Sequence, residues 1–113
     1  MPTSMCRRLL IAVLLLMVLP ACGGGADTFE IVVPAGTQER ILAGEVIDVM
    51  PNRIELRVGD TLLIRNEDSV TQSVGPYMVA AGREMTLTYG SVGRYEGYCP
   101  LSADETYEII VTN

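Results

Sequence analysis

Gly93-Arg94-Tyr95-Glu96-Gly97-Tyr98-Cys99-Pro100-Leu101-Ser102, closing on Tyr107-Glu108-Ile109-Ile110-Val111, is the stretch on which the reading of this chain turns. Arg94–Cys99 and Thr106–Thr112 predict the last two strands of an all-β domain, joined by the Cys99–Glu105 loop. Working upstream, Met85, Leu87 and Tyr89 form an inward row opposite Thr86 and Thr88. Arg53–Val58 alternates strictly, with Ile54, Leu56 and Val58 on one face and Arg53, Glu55 and Arg57 on the other. Gly59-Asp60 signals a tight turn, after which Thr61–Arg65 continues a hairpin with Leu62 and Ile64 inward. Thr28–Val33 is rich in β-branched residues and stops at Pro34-Ala35-Gly36. Within Thr37–Met50, residues 39–44 suit one helical turn, and Glu45–Met50 reads as a strand ending at Pro51-Asn52. Turn signals recur about every 8–12 residues, the spacing of an all-β sandwich.

The N-terminal segment belongs to a different physics. Arg7 and Arg8 precede an unbroken apolar run from Leu9 to Leu19, which Pro20-Ala21-Cys22 closes. A basic start, a short apolar run and a small residue before the cut describe an export signal. The run is shorter than the roughly 20 residues a membrane-spanning helix needs. Leu19-Pro20-Ala21-Cys22 resembles a bacterial lipobox, which implies cleavage before Cys22 and lipidation of that residue. The expected organisation is a signal over residues 1–21, a lipidated cysteine and Gly-rich tether over 22–27, and a domain over 28–113. Such a chain is exported and held by lipid on the outer side of a bacterial membrane. An ordinary secretory signal would instead leave Cys22 a free thiol.

Every one of the fourteen Asp and Glu residues follows the signal, against six arginines and no lysine, a net −8 for that segment. Nucleic acid and anionic lipid surfaces both require positive charge to replace counterions, so neither is an expected partner. An envelope protein partner remains open. With Cys6 removed and Cys22 acylated, Cys99 stands alone and no internal disulfide can form. A domain of this size buries roughly 60–65% of its unfolded surface, enough for one core. Stability must come from packing.

Two segments now carry a resemblance. Gly59-Asp60-Thr61 running into Asn66-Glu67-Asp68, and Gly93-Arg94-Tyr95 running into Cys99-Pro100, resemble the first-ligand segment and copper loop of the cupredoxin (blue copper) family. The resemblance covers residues 28–113 and implies a cupredoxin-like Greek-key β-sandwich of seven or eight strands. It also implies a histidine six residues after the asparagine, a cysteine, and a second histidine three residues after that cysteine. Those positions hold Gln72, Cys99 and Ser102, and the chain contains no histidine at all. The expected axial methionine is also missing, because none follows Met85. Tyr95 stands where the resemblance expects a core and corner residue.

A type 1 centre needs two imidazoles and a thiolate with a weak axial ligand. The ligand-equivalent set Gln72, Cys99 and Ser102 does not supply it. Cu(I) prefers soft sulfur ligands, which leaves Cys99 with Met78 as a conceivable altered site. Cys99 is therefore open to three readings: a buried packing residue, an altered copper ligand, or a thiol in redox chemistry. Enzymatic chemistry has little support, since no histidine activates Ser102 or Cys99 and no lysine is present. Asp104-Glu105 reads as a solvated turn. The leading expectation is a copper-free, non-enzymatic domain serving as a binding or accessory module of the cell envelope. The alternative is a copper-binding electron-transfer or copper-handling protein with its site centred on Cys99.

Overall fold

The computed structural model describes residues 25–113; the expected signal over 1–21 and Cys22 lie outside the described residues. Eight strands and one short helix follow in chain order. They are β1 (Thr28–Val33), α1 (Thr37–Leu42), β2 (Arg53–Arg57), β3 (Thr61–Asn66), β4 (Gln72–Val74), β5 (Tyr77–Val79), β6 (Glu84–Thr88), β7 (Gly93–Tyr98) and β8 (Thr106–Thr112). One sheet has the order β1-β3-β6 and the other β2-β8-β7, while β4 and β5 form a small hairpin. Each larger sheet is mixed: β3 runs parallel to β1 and antiparallel to β6. Likewise β8 runs parallel to β2 and antiparallel to β7.

Alternation along each strand builds the core. Ile31, Val33, Leu62 and Ile64 come from the first sheet, and Ile54, Leu56, Ile109 and Val111 from the second, all buried in one cluster. Each such side chain contributes about 1.5–3 kcal/mol relative to leaving it in water. Outward positions carry charge instead. Arg65 in the middle of the first sheet bonds Glu30 of β1 at 3.1 Å and Glu84 of β6 at 2.9 Å. The all-β sandwich expected from the alternation is the observed class.

The expected hairpin across Gly59-Asp60 is not formed. β2 takes its hydrogen bonds from β8 and β3 takes its own from β1 and β6, so the two strands lie in opposite sheets. Period-2 alternation sets which face a residue occupies, not which strand lies beside it. Gly59 turns with φ +96°, a left-handed conformation that favours glycine. Asp60 then ties the crossing, accepting from the Arg57 N–H at 2.7 Å and the Asp27 N–H at 2.8 Å. Those two donors hold its carboxyl below the usual range, against a smaller opposing effect of burial. Val58, read as inward, ends up exposed just past the end of β2.

Residues 45–50 are not a strand either. Ile47 and Met50 are buried three apart while Val46 is exposed, a spacing no strand produces. The segment is instead pinned by Leu101, whose carbonyl accepts both the Val49 and Met50 N–H groups at 2.9 Å. The helical turn expected over 39–44 exists, shifted to Thr37–Leu42 and ended by Gly44 at φ +80°.

Candidate functional site

The three ligand-equivalent positions gather at one end of the sandwich, where the β4–β5 hairpin and the β7–β8 loop meet the segment around Met50. Gln72 opens β4, Cys99 follows β7, and Ser102 sits in the loop after it. All three are buried. Their polar atoms, however, are turned to different partners.

Cys99 is fully buried, and its Sγ accepts the Gly75 N–H at 3.3 Å, with the Ser73 carbonyl 3.9 Å away. Gly75 needs to be glycine twice over: φ is +59°, and a Cβ there would lie 3.1 Å from Met50 Cε and 3.6 Å from the Tyr107 ring. Met50 is therefore the methionine beside the Cys99 environment. Ser102 Oγ donates to the Met50 carbonyl at 2.6 Å, and the Ser102 N–H to the Cys99 carbonyl at 3.2 Å. The hydroxyl thus staples the loop to the Met50 segment.

Gln72 points the other way. Its Nε2 donates to Asp68 Oδ2 at 2.9 Å and to Gln38 Oε1 at 3.3 Å. Asp68, only 3% exposed, also accepts backbone N–H groups from Gly36 (3.1 Å), Gln38 (2.8 Å) and Ser69 (2.9 Å). The carboxylate so satisfies the first-turn donors of α1, which its own N-cap glycine cannot. Asn66 completes the network, donating Nδ2 to the carbonyls of Val70 (2.8 Å) and Val79 (2.9 Å) and accepting the Asp68 N–H (3.0 Å). Among the described residues no buried side-chain nitrogen or oxygen lacks a partner.

The Gln72 amide is the main influence holding the Asp68 carboxyl below its ordinary 3.8; burial opposes it, and the Gln38, Ser69 and Gly36 N–H groups assist. A carboxyl lowered in the folded state stabilises that state above its unfolded pKa, and loses this as pH falls through the folded value. Stability should therefore decline as pH drops below about 3.8. Asp60 and Asp104, lowered in the same direction, act in the same window. Urea unfolding over an acid series should show a shallower decline in Asp68→Asn than in the parent chain. Equal slopes would mean that Asp68 titrates alike in both states.

The other sequence-derived candidates separate. Met78 is 69% exposed on β5, opposite Ser73, whereas Cys99 is wholly buried, so the two sulfurs occupy different environments. Asp104 Oδ1 accepts from the Thr106 N–H (3.0 Å) and hydroxyl (2.8 Å), and Glu105 follows at φ +61°. That is the expected solvated turn. Tyr95 is half-exposed rather than a core residue, its ring centroid 5.9 Å from that of Tyr89. Tyr89 and Tyr77 share a hydrogen bond at 2.8 Å between their hydroxyls. Burial, then the Tyr77 partner, pushes the Tyr89 phenol above its usual range, so it stays neutral. Burial does the same to Tyr107, helped by Cys99 and Tyr77. Among the described residues, no group of three or more His, Cys, Asp and Glu is arranged to hold a metal ion.

Asp68, Asn66 and Met50 are the site residues that sequence reasoning missed. The asparagine and aspartate stood in view as a motif, but two of the donors that Asp68 meets, Gly36 and Gln38, lie about thirty positions away, and Asn66 reaches across to the Val79 carbonyl.

No family model matches the chain, and no curated protein matches it. Among solved structures it is similar to a purple cupredoxin from Nitrosopumilus maritimus, at 22% identity over 74% of this chain and 98% of that one, with TM-score 0.44. It is also similar to Cu(I) forms of two amicyanin point mutants. One is 16% identical over 79% of this chain and 84% of that chain, TM-score 0.44. The other is 14% identical over 74% and 81%, TM-score 0.46. The Greek-key sandwich class itself rests on the strand order and the single core between the two sheets.

Proposed function

We propose that this chain is a cell-envelope lipoprotein, anchored through Cys22, whose cupredoxin-like domain has lost the type 1 ligand set and serves as a copper-free binding or accessory module. One observation carries the reading. Each ligand-equivalent side chain is already engaged as a structural group: Gln72 by Asp68, Ser102 by the Met50 carbonyl, and Cys99 by the Gly75 N–H. A type 1 copper ion asks for imidazole nitrogens and a thiolate. An amide, a thiol and a hydroxyl, directed at different partners, do not fit it. The domain keeps the scaffold and uses the positions for packing and capping, which leaves its surface as the place where function lies. The net −8 expected after the signal disfavours nucleic acid and anionic lipid as what that surface meets.

Titration of the whole chain with Cu(I) under anaerobic conditions, and separately with Cu(II), tests the metal reading. The expected result is neither stoichiometric copper nor an intense visible band. One tightly held copper per chain, lost in Cys99→Ser, would establish the altered-site alternative. The anchor has its own test. Fatty-acid labelling and membrane recovery should both disappear in Cys22→Ala, and a label that persists would refute lipidation there.

A further inference from the structure

We propose that β7 pairs with β7 of a second copy of this chain, antiparallel and centred on Tyr95, to form a symmetric dimer through the open edge of the second sheet. In the order β2-β8-β7 the only described strand hydrogen-bonded to β7 is β8. From Arg94 to Tyr98 every residue of β7 is exposed, which no other strand of the domain matches. An edge with free backbone donors and acceptors on one side is a template for another strand.

The backbone has the right parity. The Cys99 N–H donates to the Glu105 carbonyl at 2.9 Å, in line with the β7–β8 register. Odd-numbered residues of β7 thus direct their peptide groups to β8, and Arg94, Glu96 and Tyr98 direct theirs to the open edge. Antiparallel pairing about Tyr95 sets Arg94 opposite Glu96 of the second copy, and Glu96 opposite Arg94. Both become hydrogen-bonded pairs, each exchanging two N–H···O bonds, with Tyr95 facing Tyr95 in a non-hydrogen-bonded pair.

The side chains select this occupant. Val92-Gly93-Arg94-Tyr95-Glu96-Gly97-Tyr98, read against itself in reverse, matches glycine with glycine, arginine with glutamate, and valine with tyrosine. Opposite charges directly across an antiparallel pair are favourable and like charges are not. Val92, Tyr95 and Tyr98 are also the exposed apolar residues of this edge, at 59, 42 and 67%. Self-pairing covers all three: Val92 by Tyr98 at each end, and Tyr95 by its own image at the centre. A closed, isologous interface of this kind stops at two copies.

Disulfide trapping in the whole chain tests the register. In a non-hydrogen-bonded pair the Cα atoms lie about 4.5 Å apart, within the roughly 4.4–6.8 Å that a disulfide spans. Tyr95→Cys, oxidised by diamide, should give a covalent dimer, the two thiols passing their hydrogens to the diazene as the S–S bond forms. Glu96→Cys is out of register with its own image and should give about tenfold less. The parent chain, treated alike, reports any dimer through native cysteines. Adding Arg94→Glu to Tyr95→Cys places like charges across the pair and should cut the yield. Adding Glu96→Arg as well restores complementarity, sets the new arginine opposite Glu108 of β8, and should recover it. Equal yields at the two cysteine positions, no dimer at Tyr95→Cys, or indifference to charge reversal would each overturn the proposal. So would a Tyr95→Cys adduct to a different protein, which would give this edge a foreign strand instead.

Discussion

Asn66→Ala is expected to lower folding stability by about 3 kcal/mol, since three hydrogen bonds, two of them buried, at about 1 kcal/mol each are lost together. The side chain is 2% exposed and joins three separate stretches: the carbonyls of Val70 and Val79, and the Asp68 N–H. Alanine leaves the Val79 carbonyl and the Asp68 N–H buried without that partner. Asn66→Asp sharpens the test, because a carboxylate would face the two carbonyl oxygens that the amide now donates to. At neutral pH it should cost at least as much as alanine. It should also regain stability on acidification, when a protonated carboxyl again offers a donor, an inversion of the parent chain's acid dependence. Chemical denaturation with an unchanged slope reads the effect; a loss under about 1 kcal/mol would mean that the network is open to water.

Met50→Ala should cost about 2–5 kcal/mol through the lost burial and the cavity left behind. Met50 is wholly buried, and its methyl lies against the position of Gly75, whose N–H in turn meets Cys99. The cavity would therefore open beside the thiol. Besides the loss of stability, Cys99 should react faster with a small thiol reagent under native conditions. Met50→Leu fills nearly the same volume and should cost less than about 1.5 kcal/mol, with Cys99 still protected. If Cys99 labels at one rate in all three proteins, Met50 does not seal it.

What was legible in the sequence follows from what each signal encodes. The inward rows Ile54/Leu56, Leu62/Ile64 and Ile109/Val111 could be read because alternation reports burial directly. Whether β2 neighbours β3 or β8 could not, since both arrangements keep the same residues inside; only the turn at Gly59-Asp60 decides between them. β4 and β5, three residues each, are too short for alternation to register. The positions Gln72, Cys99 and Ser102 were identified, and their burial is consistent with the packing reading of Cys99. Their partners were not, because Gln38, Asp68 and the Met50 carbonyl reach them through the fold alone. The same limit explains why Met78 was read as a possible sulfur partner of Cys99 while Met50 went unread: local sequence put Met78 in an apolar stretch, but the hairpin turns it to solvent.

The place of β8 at the centre of the second sheet governs the order in which this domain can be made. Arg53 waits for Glu108 and Arg57 for Thr112, while Gly93 pairs with Val111 and Tyr98 with Thr106. Until β8 has left the ribosome, β2 and β7 have no strand to join, and the half of the core that Ile109 and Val111 complete stays open. Pairings this distant along the chain slow folding. Until then the second sheet has no centre, and β2 and β7 stay unpaired and free to be drawn out as extended chain, the state in which a polypeptide can still be threaded through a narrow pore.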